Sequence, residues 1–135
     1  MVTKDFLFAG HAIFTVSNGR GEHYTYKVTS PEKQDEQRPI WFVSYLTGPN
    51  NLRDYTYLGL LRPDGAVVLT TKSKLNFQSK PYKVIAWAVP IICGAHQLPE
   101  GYDIQHVGRC GHCGRALTTP ASVASGIGPI CAEKK

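Results

Sequence analysis

The sequence predicts a mainly β fold, a small antiparallel barrel or sandwich, with a compact cysteine-containing module at the C-terminal end. Three observations support this prediction. Short stretches that alternate apolar and polar side chains recur through the first part of the chain. Turn-forming sequences rich in Gly, Pro, Asn and Asp separate them, without the long helical patterns that βαβ units require. Three cysteines lie close to the C-terminus.

Two hairpins and two further strands are predicted. The first hairpin pairs residues 12–16 with residues 23–28 across an Asn-Gly-Arg-Gly turn, in which glycine tolerates the left-handed backbone conformation. The second pairs residues 55–61 with residues 66–71 across an Arg-Pro-Asp-Gly turn.

The other two predicted strands differ from these hairpin strands. Residues 40–46 are apolar on both faces, which is typical of a central strand. A last strand is predicted at residues 82–89, where it ends at a proline.

The spacing of Cys110, Cys113 and Cys131 indicates a structural zinc site. A Cys-x-x-Cys loop supplies two thiolates to a tetrahedral Zn²⁺, and a distant part of the chain supplies the other ligands. Gly111 and Gly114 allow the loop to curl around the ion. A redox cysteine pair would not require the third cysteine. We therefore predict Zn²⁺ as a cofactor, bound by these three thiolates.

The fourth zinc ligand is predicted to be His106, which precedes Cys110 by four residues and can fold back onto the same ion. Cys93 or His96 would reach the ion if the end of the preceding strand docked beside the loop. His112, inside the Cys-x-x-Cys turn, and water remain further alternatives.

The C-terminal module is predicted to contain one short helix at residues 118–126. Pro120 suits the first helical position and Gly126 suits the left-handed stop. A Cys-x-x-Cys loop followed by a short helix and then by the last ligand, Cys131, is the arrangement of a zinc ribbon or an abbreviated treble clef. The chain is thus divided into an antiparallel β-domain (1–92) and a zinc-binding module (93–135).

Catalytic patterns are not found in the sequence. A His-Glu-x-x-His motif and the zinc-deaminase signature are both missing, and no acidic residue stands between Asp64 and Glu100. A catalytic zinc needs an open coordination position and usually a nearby carboxylate base. We therefore predict a structural zinc and a non-enzymatic protein.

The excess of positive over negative charge lies entirely in the second half of the chain. The net charge is +5; residues 1–58 carry six basic and six acidic residues, and residues 59–135 carry nine basic and four acidic residues. Such asymmetry favours an anionic partner, most simply nucleic acid. The N-terminal apolar stretch at residues 6–16 is too short and too polar for a membrane span or a signal peptide. Cysteines that bind metal fit a reducing cytoplasm.

Nucleic-acid binding is the function that these observations favour, with DNA ahead of RNA. Lysines alternate with aromatic residues in a stretch without acids, as in proteins that bind single strands through basic grooves and stacking platforms. Lys72 and Lys74 are expected at alternating strand positions, with both ammonium groups on one face. The predicted contact residues are Lys72, Lys74, Phe77, Lys80, Lys83, Arg109 and Arg115.

Inhibition of a host protein is the alternative function. A rigid zinc-stapled scaffold with exposed aromatic residues, such as Tyr55 and Tyr57, would make a recognition surface. The same two tyrosines would equally suit the buried face of a strand.

The tail resembles a known group of proteins. Residues 106–131 contain Cys-x-x-Cys-Gly-Arg-x-Leu, then Pro-x-Ser, then Gly-x-Gly-Pro-x-Cys. This pattern is similar to the zinc-binding tail of small uncharacterised proteins of bacteriophages, prophages and plasmids; the stretches 10–15 and 55–59 are also similar to such proteins, less distinctively. The resemblance implies a zinc site, a mobile-element origin and a bacterial host cytoplasm. It implies no particular activity, because phage genomes encode both DNA-handling accessories and anti-CRISPR inhibitors.

Overall fold

The computed structural model describes residues 2–49 and 53–106, which form one antiparallel sheet and two helices. The strand order is β5-β4-β3-β2-β1-β6, which confirms a mainly β fold. In chain order the elements are α1 (Lys4–Leu7), β1 (His11–Asn18), β2 (His23–Thr29), β3 (Trp41–Leu46), β4 (Tyr55–Leu61), β5 (Val67–Val68), α2 (Lys80–Ile92) and β6 (Tyr102–His106).

The sheet is open, so the predicted barrel or sandwich is wrong for the part of the chain that the structure describes. β5 and β6 end the sheet on opposite sides and do not pair with each other. One face of the sheet packs against α2, whose buried residues join those of the strands in a single core. The helix thus supplies the second layer that another sheet would supply in a sandwich.

The predicted strand at residues 82–89 is wrong, because these residues lie within α2. Pro81 stands in the first turn of the helix, where its missing N–H is not needed. The residues that α2 buries recur at intervals of three and four, the spacing of one helical face, rather than at alternate positions. They are Ile85, Ala88, Val89, Ile91 and Ile92.

Both predicted hairpins are present. β1 and β2 are antiparallel, with Phe14 opposite Tyr26, and the N–H of Asn18 donates to the carbonyl oxygen of Glu22 at 3.0 Å. The β4–β5 turn is closed by a bond of 2.9 Å from the Arg62 N–H to the Ala66 carbonyl oxygen. β5 is only two residues long, shorter than predicted. β3 lies between β2 and β4, as expected for a central strand.

β6 is a strand that the sequence did not predict. It lies within residues 93–135, the range assigned to the zinc module, and it pairs antiparallel with β1. Ile104 in its centre is fully buried, and the Ile104 carbonyl oxygen accepts a bond of 3.2 Å from the Val2 N–H. The sheet therefore extends to residue 106.

The antiparallel register defines two ends of the sheet. The Gly19 end holds the β1–β2 turn and the start of β6, since Asn18 pairs with Tyr102. The opposite end, named here the His11 end, holds the start of β1 and the β4–β5 turn, against which the C-terminal end of α2 packs, whereas His106 pairs with Phe14 partway along β1. β1 has eight residues, so these two ends are about 23 Å apart at the usual rise per residue, and His106 lies about 13 Å along β6 from Tyr102.

Tyr26 connects the sheet to α2. Its hydroxyl donates a hydrogen bond of 2.7 Å to the carbonyl oxygen of Pro81, and the residue is fully buried. Burial raises the pKa of the Tyr26 phenol above its ordinary value; the neighbouring Tyr24 also raises it, and a backbone hydrogen bond at Ile85 lowers it. The hydroxyl therefore stays protonated and available as a donor.

We expect Tyr26→Phe to lower the free energy of unfolding by about 1 kcal/mol, the net worth of one buried hydrogen bond. Because the folded-state pKa is raised, the stability that depends on this phenol is complete below pH 10 and declines above it, where the unfolded chain ionises. Tyr26→Phe should therefore show a smaller alkaline decline. Urea denaturation at several pH values measures both effects. Tyr45→Phe is the matched control, and an equal loss in both variants would contradict the role of the Pro81 bond.

Candidate nucleic-acid interface

Residues 71–83, named here the basic segment, connect β5 to α2 and include the first turn of that helix. Phe77 in this segment is 66% exposed, the largest exposure of any bulky apolar side chain among the described residues. The segment contains no acidic residue. Its four lysines, all exposed, are Lys72, Lys74, Lys80 and Lys83.

The expected placement of Lys72 and Lys74 on a strand is wrong, because the chain turns directly after Thr70. The N–H of Ser73 donates to the Thr70 carbonyl oxygen at 3.0 Å, and the Ser73 hydroxyl oxygen accepts from the Thr70 N–H at 2.8 Å. These two bonds fold residues 70–73 into a turn. The two lysines therefore project from a loop rather than from one face of a sheet.

A second turn holds Phe77 away from the core. The side-chain oxygen of Asn76 accepts a bond of 2.9 Å from the Gln78 N–H. The Asn76 carbonyl oxygen accepts from the Ser79 hydroxyl at 2.8 Å. Asparagine commonly closes such turns through its own side chain. Phe77 lies inside this turn, so its ring faces water between two pairs of lysines.

Little of the positive charge of the basic segment is neutralised within the protein. Lys80 Nζ lies 3.8 Å from Glu22 Oε2, and both side chains are well exposed, so this ion pair is weak. Lys72, Lys74 and Lys83 form no ion pair in the ranges 2–49 and 53–106. Three ammonium groups are thus available for an anionic partner.

The sheet face opposite α2 carries a separate group of aromatic side chains. Phe42 is 37% exposed and meets Tyr57 edge to face at a ring-centroid distance of 6.3 Å. Lys27 Nζ lies 5.0 Å from the centroid of the Tyr55 ring. Burial raises the pKa of Tyr55 to about 12, so its phenol is neutral under the lysine. We name Phe42, Tyr57, Lys27 and Tyr55 the outer patch.

Most of the predicted zinc site lies outside the described residues. This holds for the ligands Cys110, Cys113 and Cys131, for the alternative His112, and for the predicted helix at residues 118–126. It also holds for Arg109 and Arg115 of the predicted binding surface. Among residues 2–49 and 53–106 there is no cluster of three or more His, Cys, Asp or Glu side chains that could hold a metal.

The candidates for the fourth zinc ligand occupy different surroundings. His106 is partly buried as the last residue of β6, and its ring centroid lies 5.6 Å from that of Phe6. Cys93 follows α2 and packs against the core. Burial raises the pKa of the Cys93 thiol, against a smaller lowering by Lys4. His96 is exposed beyond the helix.

Five of the predicted binding residues lie in the basic segment, whereas His106 lies on β6. The start of α2 lies at the Gly19 end, because Lys80 approaches Glu22 next to the β1–β2 turn. His106 ends β6 opposite Phe14, about 13 Å along the strand from the Gly19 end. The start of the tail is therefore displaced by the length of β6 from the end at which α2 begins.

Sequence reasoning missed Tyr24 and Tyr102, which join Trp87 around a cavity at the Gly19 end. Trp87 belongs to the acid-free stretch in which lysines alternate with aromatic residues. Tyr102 reaches it only because β6 pairs with β1, and the two rings meet at a centroid distance of 5.0 Å. No local pattern in the sequence could have indicated that contact.

Comparison with known proteins gives one partial similarity. Residues 103–134 match a family of unknown function, DUF6011, which covers most of β6 and the predicted zinc-binding tail. No curated protein and no solved structure matches the chain. Neither helix in the described ranges is long and apolar enough to cross a membrane.

Proposed function

We propose that this protein is a non-enzymatic nucleic-acid-binding accessory of a bacteriophage or mobile element that works in the host cytoplasm. The observation that carries the proposal is the basic segment, in which an exposed phenylalanine stands between exposed lysines in a stretch without acids. The origin and the compartment rest on the resemblance of the tail to small phage and plasmid proteins.

A polyanion suits this arrangement better than a single acidic group does. Lys72 and Lys74 precede Phe77 and Lys83 follows it, so positive charge is spread along the segment. Lysines that contact successive phosphates release condensed counterions, which drives binding. An exposed aromatic ring between them offers a stacking surface for a base. DNA remains the favoured partner over RNA.

Zinc has a structural role in this proposal. Bound to three thiolates and one imidazole, Zn²⁺ would cross-link the tail and fold a segment too small to bury its own core. Cys110, Cys113 and Cys131 suit a soft tetrahedral ion, and His106 suits the fourth position because β6 anchors it to the sheet at the start of the tail. The zinc module is then the part of residues 93–135 that follows β6.

The experiment that tests the proposal is a titration of zinc-loaded protein into labelled single-stranded DNA, duplex DNA and RNA, followed by fluorescence anisotropy. We expect binding whose log K falls linearly with log[salt], with a slope near −0.7 to −0.9 for each phosphate contacted. Absence of binding to all three at low salt would rule the proposal out.

Binding to a host defence protein is a second candidate, and the outer patch favours it. Phe42 and Tyr57 place apolar surface on a sheet face that α2 does not cover, and aromatic residues are enriched at protein interfaces. Capture of a bacterial defence protein that is lost in Phe42→Ser but kept in Lys72→Ala/Lys74→Ala would support this candidate. Capture that is kept in Phe42→Ser but lost in Lys72→Ala/Lys74→Ala would count against the outer patch as the binding surface.

A further inference from the structure

A cavity of about 260 Å³ opens at the Gly19 end, between α2 and the ends of β1 and β2. Three aromatic residues line it, Tyr24 from β2, Trp87 from α2 and Tyr102 from β6. Lys83 and Glu22 add charged groups to its wall. Ligand pockets usually range from about 300 to 1,000 Å³, so this cavity suits one planar ring system rather than an extended small molecule.

Packing within the protein covers only part of the aromatic surface that lines the cavity. Trp87 packs against the core on one side, while Tyr102 is 45% exposed although it belongs to a strand. Their ring centroids lie 5.0 Å apart and the planes are tilted by 52°. Because the two planes are not parallel, neither ring fully covers the face of the other, and a flat guest can lie parallel to only one of them; Tyr102, the more exposed ring, offers the uncovered face. This uncovered surface is available to a flat guest.

The charges around the cavity favour a guest attached to phosphate. Glu22 is the acid on the wall, and its carboxylate is paired with Lys80. Lys83 on the same wall has no such partner among the described residues, and it belongs to the basic segment. A second cavity of about 310 Å³ shares Tyr102 with the first; Arg20 and Glu100 both line it, so its charge is mixed and the proposed phosphate contact depends on Lys83.

We propose that this cavity receives one base of a single-stranded nucleic acid, stacked on Tyr102 and in edge contact with Trp87, with Lys83 at the adjoining phosphate. The inference rests on the proposed function and names the form of nucleic acid that it requires. A base in a duplex is paired and stacked, and extruding it costs a few kcal/mol, whereas a base in a single strand is accessible. The cavity therefore selects single strands over duplexes.

Tryptophan fluorescence gives a direct test, because Trp87 and Trp41 are the two tryptophans of the chain. Trp41 lies at the His11 end, edge to face with Phe8, and Trp41→Phe keeps an aromatic ring there. In this variant Trp87 is the sole reporter. We expect an oligothymidylate to quench the fluorescence of Trp87 and an abasic oligonucleotide of the same length to leave it unchanged. Thymidine monophosphate should quench only at much higher concentration.

Substitutions at Tyr102 test the same site by anisotropy without a change of tryptophan. Tyr102→Ala should bind oligothymidylate about 10- to 100-fold more weakly, the usual loss for one stacked base. It should bind the abasic strand as the wild type does. Tyr102→Phe keeps the ring and should retain the affinity. Because Tyr102 is half-exposed, thermal denaturation can verify that both variants fold.

The results separate this inference from the proposed function. Equal affinity for thymidylate and abasic strands, without quenching of Trp87, would overturn the base cavity while leaving electrostatic binding intact. Equal quenching by thymidine monophosphate would overturn the single-strand assignment. No binding of either strand at low salt would overturn both the cavity and the proposed function.

Discussion

Replacing Lys72 and Lys74 together by alanine should weaken nucleic-acid binding roughly 10- to 100-fold at moderate salt. Both lysines are exposed in the basic segment and neither forms an ion pair among the described residues. Their loss therefore removes two phosphate contacts without leaving an unpaired acid behind. The plot of log K against log[salt] should become shallower by about 0.9 for each lost contact to duplex DNA and about 0.7 to a single strand.

The control for this variant changes the net charge equally at a different site. Lys33→Ala/Arg38→Ala removes two exposed positive charges from the loop between β2 and β3. A general electrostatic effect would weaken binding in both double variants alike. We expect the control to stay close to the wild type in affinity and in slope. An unchanged slope in Lys72→Ala/Lys74→Ala would remove these lysines from the interface.

Replacing Cys113 by serine should unfold the tail while the sheet stays folded. Structural zinc sites contribute about 10–16 kcal/mol in small zinc-binding peptides, and one lost thiolate removes much of that. Hydrogen exchange should then be fast in residues 107–135. It should remain slow in β6, because this strand is bonded to β1 and Ile104 is buried in the core. Unchanged protection of the tail in Cys113→Ser would refute the structural role of zinc.

The fourth ligand can be assigned with two further variants. His106→Ala should lower zinc affinity, whereas Cys93→Ala should leave it unchanged, because Cys93 packs against the core after α2. Substitution of zinc by Co²⁺ reports the ligand set, since three thiolates with one imidazole absorb differently from four thiolates. Loss of the cobalt bands in Cys93→Ala, with His106→Ala unaffected, would reverse the assignment.

Local sequence was sufficient for the turns and the strands that flank them. The β1–β2 turn and the β4–β5 turn depend on glycine conformations and side-chain oxygens within a few residues, as at Gly65 and Asn18. β3 could be predicted because a central strand is apolar on both faces. The lysines around Phe77 also predicted an exposed ring at this position. They did not predict the loop that carries it.

Residues 82–89 show where local patterning was insufficient. A short apolar run with valine, isoleucine and aromatic residues fits either a strand or a buried helix. The choice between strand and helix depends on which apolar surface the other elements leave uncovered. An open sheet needs a second layer to bury Phe14, Val28 and Val43. The helix supplies that layer, so the tertiary context decided the local structure.

Taken alone, the chain's residues determined its β-rich character, two hairpins, the separation of charge between its halves and the cysteine spacing that predicts zinc. These properties depend on neighbours in sequence. Only the tertiary structure decided that the sheet is open, that α2 covers it, and that Trp87 meets Tyr102 beside Lys83. Those contacts join residues that are distant in sequence and that strand pairing and core burial bring together. They contribute to the stability of the protein only once the whole sheet has formed.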